Sequence, residues 1–198
     1  PPGCQSTMDG IFASISSSTP AYNLRAALGF TYDLREATTI GGYWHTEQVF
    51  TFDDFVRIPP SASFQDFRVS LPNKYGLGIA DESLMDGKLL VAVDLMYFTW
   101  SDTDFFGALW DDQFAVQTGL QYTTEKGCKF RADYVYAENT SRNIVAPSFG
   151  PIAPHAGGDY IQTLFPNINK YRISGGISLK DLLPGVDVDL FLPFDREA

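Results

Sequence analysis

Residues 23–34 separate into two faces. Leu24, Ala26, Leu28, Phe30, Tyr32 and Leu34 fall on one parity, and Arg25, Ala27, Gly29, Thr31 and Asp33 on the other. Successive side chains of a strand point to opposite sides, so this stretch predicts a ribbon with one apolar side and one polar or small side. The pattern recurs. Residues 38–52 set Ile40, Trp44, Phe50 and Phe52 against Gly41, Tyr43, His45, Glu47 and Thr51, and residues 67–80 set Phe67, Val69, Leu71, Tyr75, Leu77 and Ile79 against Arg68, Ser70, Lys74, Gly76, Gly78 and Ala80. Pro72 in the second of these marks a bulge or bend. Residues 88–100 are apolar on both parities apart from Asp94, and alternation returns over 113–122, 129–136, 170–179 and 186–192. The reading is about eight strands and no convincing helix.

The connections carry a second period. Short links at 35–37, 85–88, 125–128 and 180–185 alternate with long ones at about 53–66, 101–112 and 137–169. Tight turns at one end and long loops at the other are what an antiparallel up-and-down transmembrane β-barrel produces, whereas a Greek-key sandwich breaks that order with crossovers. Tyr32, Trp100, Tyr122, Tyr134, Tyr136 and Tyr171 fall toward strand ends, where an interfacial girdle places amphipathic rings. On this reading Leu24, Leu28, Phe30 and Leu34 face lipid, and Arg25, Thr31 and Asp33 face water inside the wall. A soluble barrel or sandwich used for binding, with its apolar faces turned inward, and a general porin are the alternatives. A detergent requirement separates the first, and a water-filled conductance without ligand binding favours the second.

Composition narrows the classes further. The 198 residues are 44% hydrophobic, enough for one substantial domain. The greasiest stretch, residues 89–93, is bounded by Lys88 and Asp94, far short of a spanning helix. A formal net charge of −10 with scattered Lys and Arg excludes nucleic acid as a partner. Cys4 and Cys128 fit no metal spacing and are read as unpaired. The opening residues carry no signal-peptide pattern, so a leader is expected to have been removed or the chain to be an internal piece.

The candidate functional residues are those of the polar parity. Arg25, Asp33, His45, Glu47, Arg68, Lys74, Asp94, Arg131, Asp133 and Arg172 are the lumen-facing candidates, with Lys129, Asp187 and Asp189 completing the set. So many ions of both signs would be costly in a dry core, but in a wet lumen that cost largely disappears. Catalysis is not expected: the histidines are His45 on a strand and His155 in the long loop, and no Ser is placed beside His45 by the pattern. The acidic pairs at 53–54 and 111–112 lack the oxygen-rich spacing of a calcium loop, so neither metal nor cofactor is expected. Phe149, Tyr160 and Phe165 make the loop at 143–168 unusually apolar and are candidates for contact with a greasy ligand. The expected organisation is an irregular start over 1–20, a partial barrel over 21–194 and a long extracellular loop over 137–169.

Residues 71–102, "LPNKYGLGIADESLMDGKLLVAVDLMYFTWSD", resemble the C-terminal half of the FadL/TodX family of outer-membrane hydrophobic-compound transporters. Leu71, Pro72, Tyr75, Gly76, Asp94, Trp100 and Ser101 stand at the matching places, and the likeness continues through 109–136 and 169–180, covering roughly 22–192. The resemblance implies a barrel of about fourteen strands in the outer membrane of a Gram-negative bacterium. It also implies a monomer, plugged by an N-terminal hatch and surrounded by lipid, that takes up long-chain fatty acids or aromatic hydrocarbons. The chain departs from the pattern in lacking the hatch and an early kinked strand, and in ending at "DREA" without a closing aromatic residue, so it reads as a fragment. No binding residue is carried over by name. Alone in lipid, the expected open sheet would leave unpaired backbone at both edges and is not expected to insert stably.

Overall fold

The computed structural model describes residues 14–15, 20–57, 63–141, 170–183 and 186–196. Its strands are β1 (Ser14–Ile15), β2 (Ala27–Arg35), β3 (Thr38–His45), β4 (Gln48–Arg57), β5 (Gln65–Leu71), β6 (Lys74–Leu84), β7 (Leu89–Phe98), β8 (Gln113–Thr123), β9 (Lys129–Ala137), β10 (Tyr171–Leu183) and β11 (Val186–Arg196). Two short 3-10 turns, Trp100–Asp102 and Phe106–Ala108, lie between β7 and β8. The fold is all-β and antiparallel, as the alternation predicts.

Eight strands form one sheet in the order β11-β10-β9-β8-β7-β6-β3-β2. Each pairs with its neighbour in the chain except at the step from β3 to β6, where β4 and β5 leave the sheet and form a smaller one in the order β1-β4-β5. The large sheet is not closed among the described residues: β2 and β11 each pair on one side only.

That excursion corrects the sequence reading, which expects one strand over residues 38–52, another over 67–80, and a loop over 53–66. Both strands instead break, at Thr46–Glu47 and at Pro72–Asn73, and the expected loop contributes residues 53–57 to β4 and 65–66 to β5, which pair with each other. The side-chain alternation runs on through each break, so the spacing of apolar positions does not register the change of sheet. At the breaks the backbone finds other partners. Thr46 N–H donates to the Ala26 carbonyl at 3.0 Å, Glu47 N–H to Asn73 Oδ1 at 3.0 Å and Thr99 N–H to the Asn73 carbonyl at 3.2 Å. Proline suits this position because it has no N–H to lose from a ladder.

The register brings the apolar parities together across the whole sheet. One rung runs Tyr32, Ile40, Ile79, Val93, Thr118, Tyr134, Ile173 and Phe194. Another, nearer the loops, runs Leu28, Trp44, Tyr75, Tyr97 and Phe114. Among the described residues no second layer covers this face: Leu28 is 67%, Phe30 57% and Tyr32 63% exposed. In a sandwich these positions would meet a facing sheet about 10 Å away. Along β7 the band extends from Leu89 to Tyr97, roughly 27 Å of strand, or about 21 Å when tilted by about 40°, close to the apolar height of a membrane barrel. On β3 it ends at Thr38, whose side chain donates a hydrogen bond of 2.5 Å to Asp81 of β6.

The turns are tight at that end. Asp86 (φ 57°) and Gly87 (φ 80°) take the left-handed conformations of a type I′ hairpin, the geometry that matches strand twist and favours Asp-Gly. The buried apolar residues lie at the opposite end. Among the described residues these are Leu109, Trp110 and Ala115.

Candidate functional site

On the polar face, small side chains from four adjacent strands leave space. Gly29 and Thr31 of β2, Thr39 and Gly41 of β3, Gly78 and Ala80 of β6, and Ala92 and Asp94 of β7 line an open hollow of about 580 Å³. Larger side chains bound it by lying across glycines. The Tyr43 ring covers Gly76, where any β-carbon would collide with it, and the Asp94 carboxylate covers Gly78 in the same way. Toward the loops, Lys74 Nζ sits over the rings of Tyr43 at 5.1 Å and Phe98 at 5.3 Å, and the Tyr43 and His45 rings are 5.3 Å apart. An ammonium over two ring faces keeps attraction while partly dehydrated. Toward the turns a second hollow, of about 420 Å³, is lined by Lys129, Arg131, Ser178, Lys180, Asp187 and Asp189 among others. There Arg131 donates to Gln121 Oε1 at 2.9 Å and Ser178 Oγ at 2.7 Å and lies 3.7 Å from Asp189, to which Ser178 also donates.

At the loop end the polar face meets a continuous run of aromatic rings. Phe98 stacks on Trp100 at 6.5 Å, Trp100 meets Trp110 edge-on at 4.8 Å, and Trp110 stacks on Phe106 at 4.5 Å. The run continues through Phe105 at 5.2 Å and Phe67 at 5.3 Å to Phe55 at 5.8 Å and Phe52 at 5.4 Å. It joins the rim of the large sheet to the β4–β5 hairpin. Such ring pairs contribute on the order of 1 kcal/mol each beyond area burial.

This cap is fastened at a few positions. Asp112 accepts from Ser101 N–H at 2.9 Å, Ser101 Oγ at 2.6 Å and Tyr97 Oη at 2.6 Å. Gly107 lets the two 3-10 turns touch: a β-carbon there would lie 2.6 Å from the Ser101 carbonyl oxygen. Phe105 adopts φ 69° and ψ −61°, with Phe106 N–H donating to the Asp104 carbonyl at 2.9 Å. That is the rare, strained hand of γ-turn, costing a non-glycine residue about 1–3 kcal/mol. Trp110 Nε1 and Thr99 Oγ1 are buried without a hydrogen-bond partner.

The sequence-predicted residues divide into three groups. Asp33, His45, Lys74, Asp94, Arg131, Asp133 and Arg172 lie in the large sheet on the polar parity. Arg25, Glu47 and Arg68 do not. Arg25 precedes β2, and its guanidinium donates to the Thr46 carbonyl at 2.9 Å and the Pro72 carbonyl at 3.0 Å, fastening both strand breaks. Glu47 is at the first break, and Arg68 is on β5 in the small sheet, 3.2 Å from Asp104. Leu24, likewise expected in the first strand, precedes it. Phe149, Tyr160 and Phe165 lie outside the described residues, as does Cys4; Cys128 is free.

Trp100, expected in the girdle, belongs instead to the cap, while Trp44, Tyr75 and Tyr97 occupy the loop-end rung of the apolar face. Sequence reasoning passes over Phe105, Phe106 and Trp110 as plain loop, although an aromatic density of this kind in "DFFGALW" is itself a sign of packing. Among the described residues, no group of three or more His, Cys, Asp or Glu side chains could hold a metal ion.

An open antiparallel meander with an uncovered apolar face, a hollowed polar face and loops gathered at one end defines the class: part of a β-barrel wall. Its likeness to solved structures is to the Pseudomonas putida toluene transporter TodX, with a TM-score of 0.51 at 16% identity over 87% of this chain and 44% of that one. A TodX deltaS2S3 mutant, a monoaromatic hydrocarbon channel, gives 0.55 at 17% identity over 91% and 47%. The fold is therefore that of a β-barrel wall like those of these two structures, and the chain spans less than half the length of those proteins. No family model and no curated protein matches the sequence.

Proposed function

We propose that the chain forms part of an outer-membrane barrel that lets hydrophobic small molecules pass passively, with no chemistry and no cofactor. The observation that carries this is the division of the large sheet. One face is apolar on all eight strands and exposed among the described residues, suited to lipid, and the other carries, in order from the loop end, the aromatic cap, Phe98 and Tyr43, and the glycine-floored hollow. Rings at the entrance and a hollow floored by glycine and alanine favour monoaromatic hydrocarbons, and long-chain fatty acids are the second substrate class to test. The barrel acts as a monomer in a Gram-negative outer membrane. The soluble alternative would need a second layer over Leu28, Phe30 and Tyr32, which are bare.

Single cysteines at Leu28 and Thr31, with Cys4 and Cys128 replaced by Ser, test the orientation in membranes. A water-soluble maleimide is expected to label position 31, and a lipid-dissolved quencher to reach position 28. Uptake of labelled toluene and of a labelled fatty acid by vesicles carrying the protein, above barrel-free vesicles, tests passage. Conductance of ions with no uptake of either compound would mean a general porin instead.

A further inference from the structure

We propose that Asp104 and Phe105 form a latch that closes the loop end, and that its release sets the rate at which hydrophobic molecules enter. The inference rests on the passage reading above. Phe105 is held in a strained γ-turn, and its neighbourhood would relax unless fastened on both sides. The fastenings converge on β5. Asp104 N–H donates to the fully buried Ser70 Oγ at 2.8 Å, Ser70 N–H donates back to the Asp104 carbonyl at 3.3 Å, the Asp104 carboxylate meets Arg68 at 3.2 Å, and the Phe105 ring rests on Phe67.

These interactions join two segments of different origin. Asp104 and Phe105 lie on the connection that leaves β7, whereas Arg68 and Ser70 belong to the hairpin that leaves the sheet after β3. The Phe105 ring is the link between the hairpin's rings and those of the rim. When Asp104 leaves Ser70, the γ-turn relaxes and the Phe67 face opens in the same movement. Strain released on opening offsets part of the cost of separating Asp104 from Ser70 and the Phe105 ring from Phe67, which is the energetic condition for a segment with two states.

The test uses the whole protein in outer-membrane vesicles, with Cys4 and Cys128 replaced by Ser. Ser70 N–H on the Asp104 carbonyl and Asp104 N–H on Ser70 Oγ bring the two residues into direct contact, so the pair Ser70→Cys and Asp104→Cys is expected to oxidise in the closed state. Uptake of labelled toluene is expected to fall at least tenfold in the oxidised form and to recover with dithiothreitol. Phe105→Ala, which keeps the strained φ and lacks the ring that rests on Phe67, is expected to raise uptake severalfold. Equal uptake by the oxidised and reduced forms, a pair that does not oxidise, or no rise with Phe105→Ala overturns the latch. Absence of toluene and fatty-acid uptake by the unsubstituted protein overturns the passage reading instead.

Discussion

The wall and the cap are built on opposite principles. Across the wall, eight strands pair residue for residue with bulges confined to the turn ends. The cap holds the buried apolar residues Leu109 and Trp110, a non-glycine residue at φ 69° and two buried polar atoms without partners. The wall gains its order from the backbone ladder and, on the proposed reading, from lipid against its apolar face. The cap gains its order from side-chain packing in water. The two regions should therefore respond differently to the same kind of substitution.

The largest contrast is expected from charge on the wall. Val93→Arg puts a cation in the middle of the apolar face, on the rung between Ile79 and Thr118. In lipid this should cost about 2–4 kcal/mol, while Ala92→Arg, one residue away but on the polar face, should cost far less. Urea unfolding of the barrel in lipid vesicles measures both. Equal costs would mean that the two faces see similar surroundings, and the wall would then not be a lipid boundary.

The next contrast is within the cap. Ser70→Ala leaves Asp104 N–H without its acceptor in a fully buried position, a destabilisation of about 1–3 kcal/mol. Gly107→Ala forces apart the 3-10 turns, at a similar cost of about 1–3 kcal/mol. Both should change the fluorescence of Trp100 and Trp110 and lower the temperature at which the cap loses order. Neither should alter urea unfolding of the wall. A shared shift would show that cap and wall unfold as one unit.

The same division explains what can be read from the chain. The alternation of Leu28, Phe30 and Tyr32 with Gly29 and Thr31 is local, and it survives into the structure because strand geometry demands it. The order of short and long connections likewise locates the turn end. What escapes are features that depend on distant partners. Nothing near Arg25 says that its guanidinium meets carbonyls at 46 and 72, and nothing near Arg68 says that its strand has left the wall. Pro72 marks one of the two breaks, but Thr46 and Glu47, where the other occurs, are unremarkable in a strand. The polar residues of the hollow are legible as a parity; that they enclose space follows from Gly41 lying opposite Gly78, which only register supplies.

The smallest effect concerns Arg68, and it separates two parts of the cap's fastening. Its ion pair with Asp104 joins side chains 59% and 42% exposed, so water and salt screen it. Arg68→Gln should cost no more than about 0.5 kcal/mol. That cost should shrink further at high salt, because exposed charges are screened within about 10 Å at 0.1 M. The Ser70 hydrogen bond is buried and uncharged on the serine side, so the penalty of Ser70→Ala should not depend on salt. Measuring both variants by cap melting at low and high ionic strength assigns the hold on Asp104. A large, salt-sensitive destabilisation with Arg68→Gln would move that hold from the buried hydroxyl to the surface charge pair.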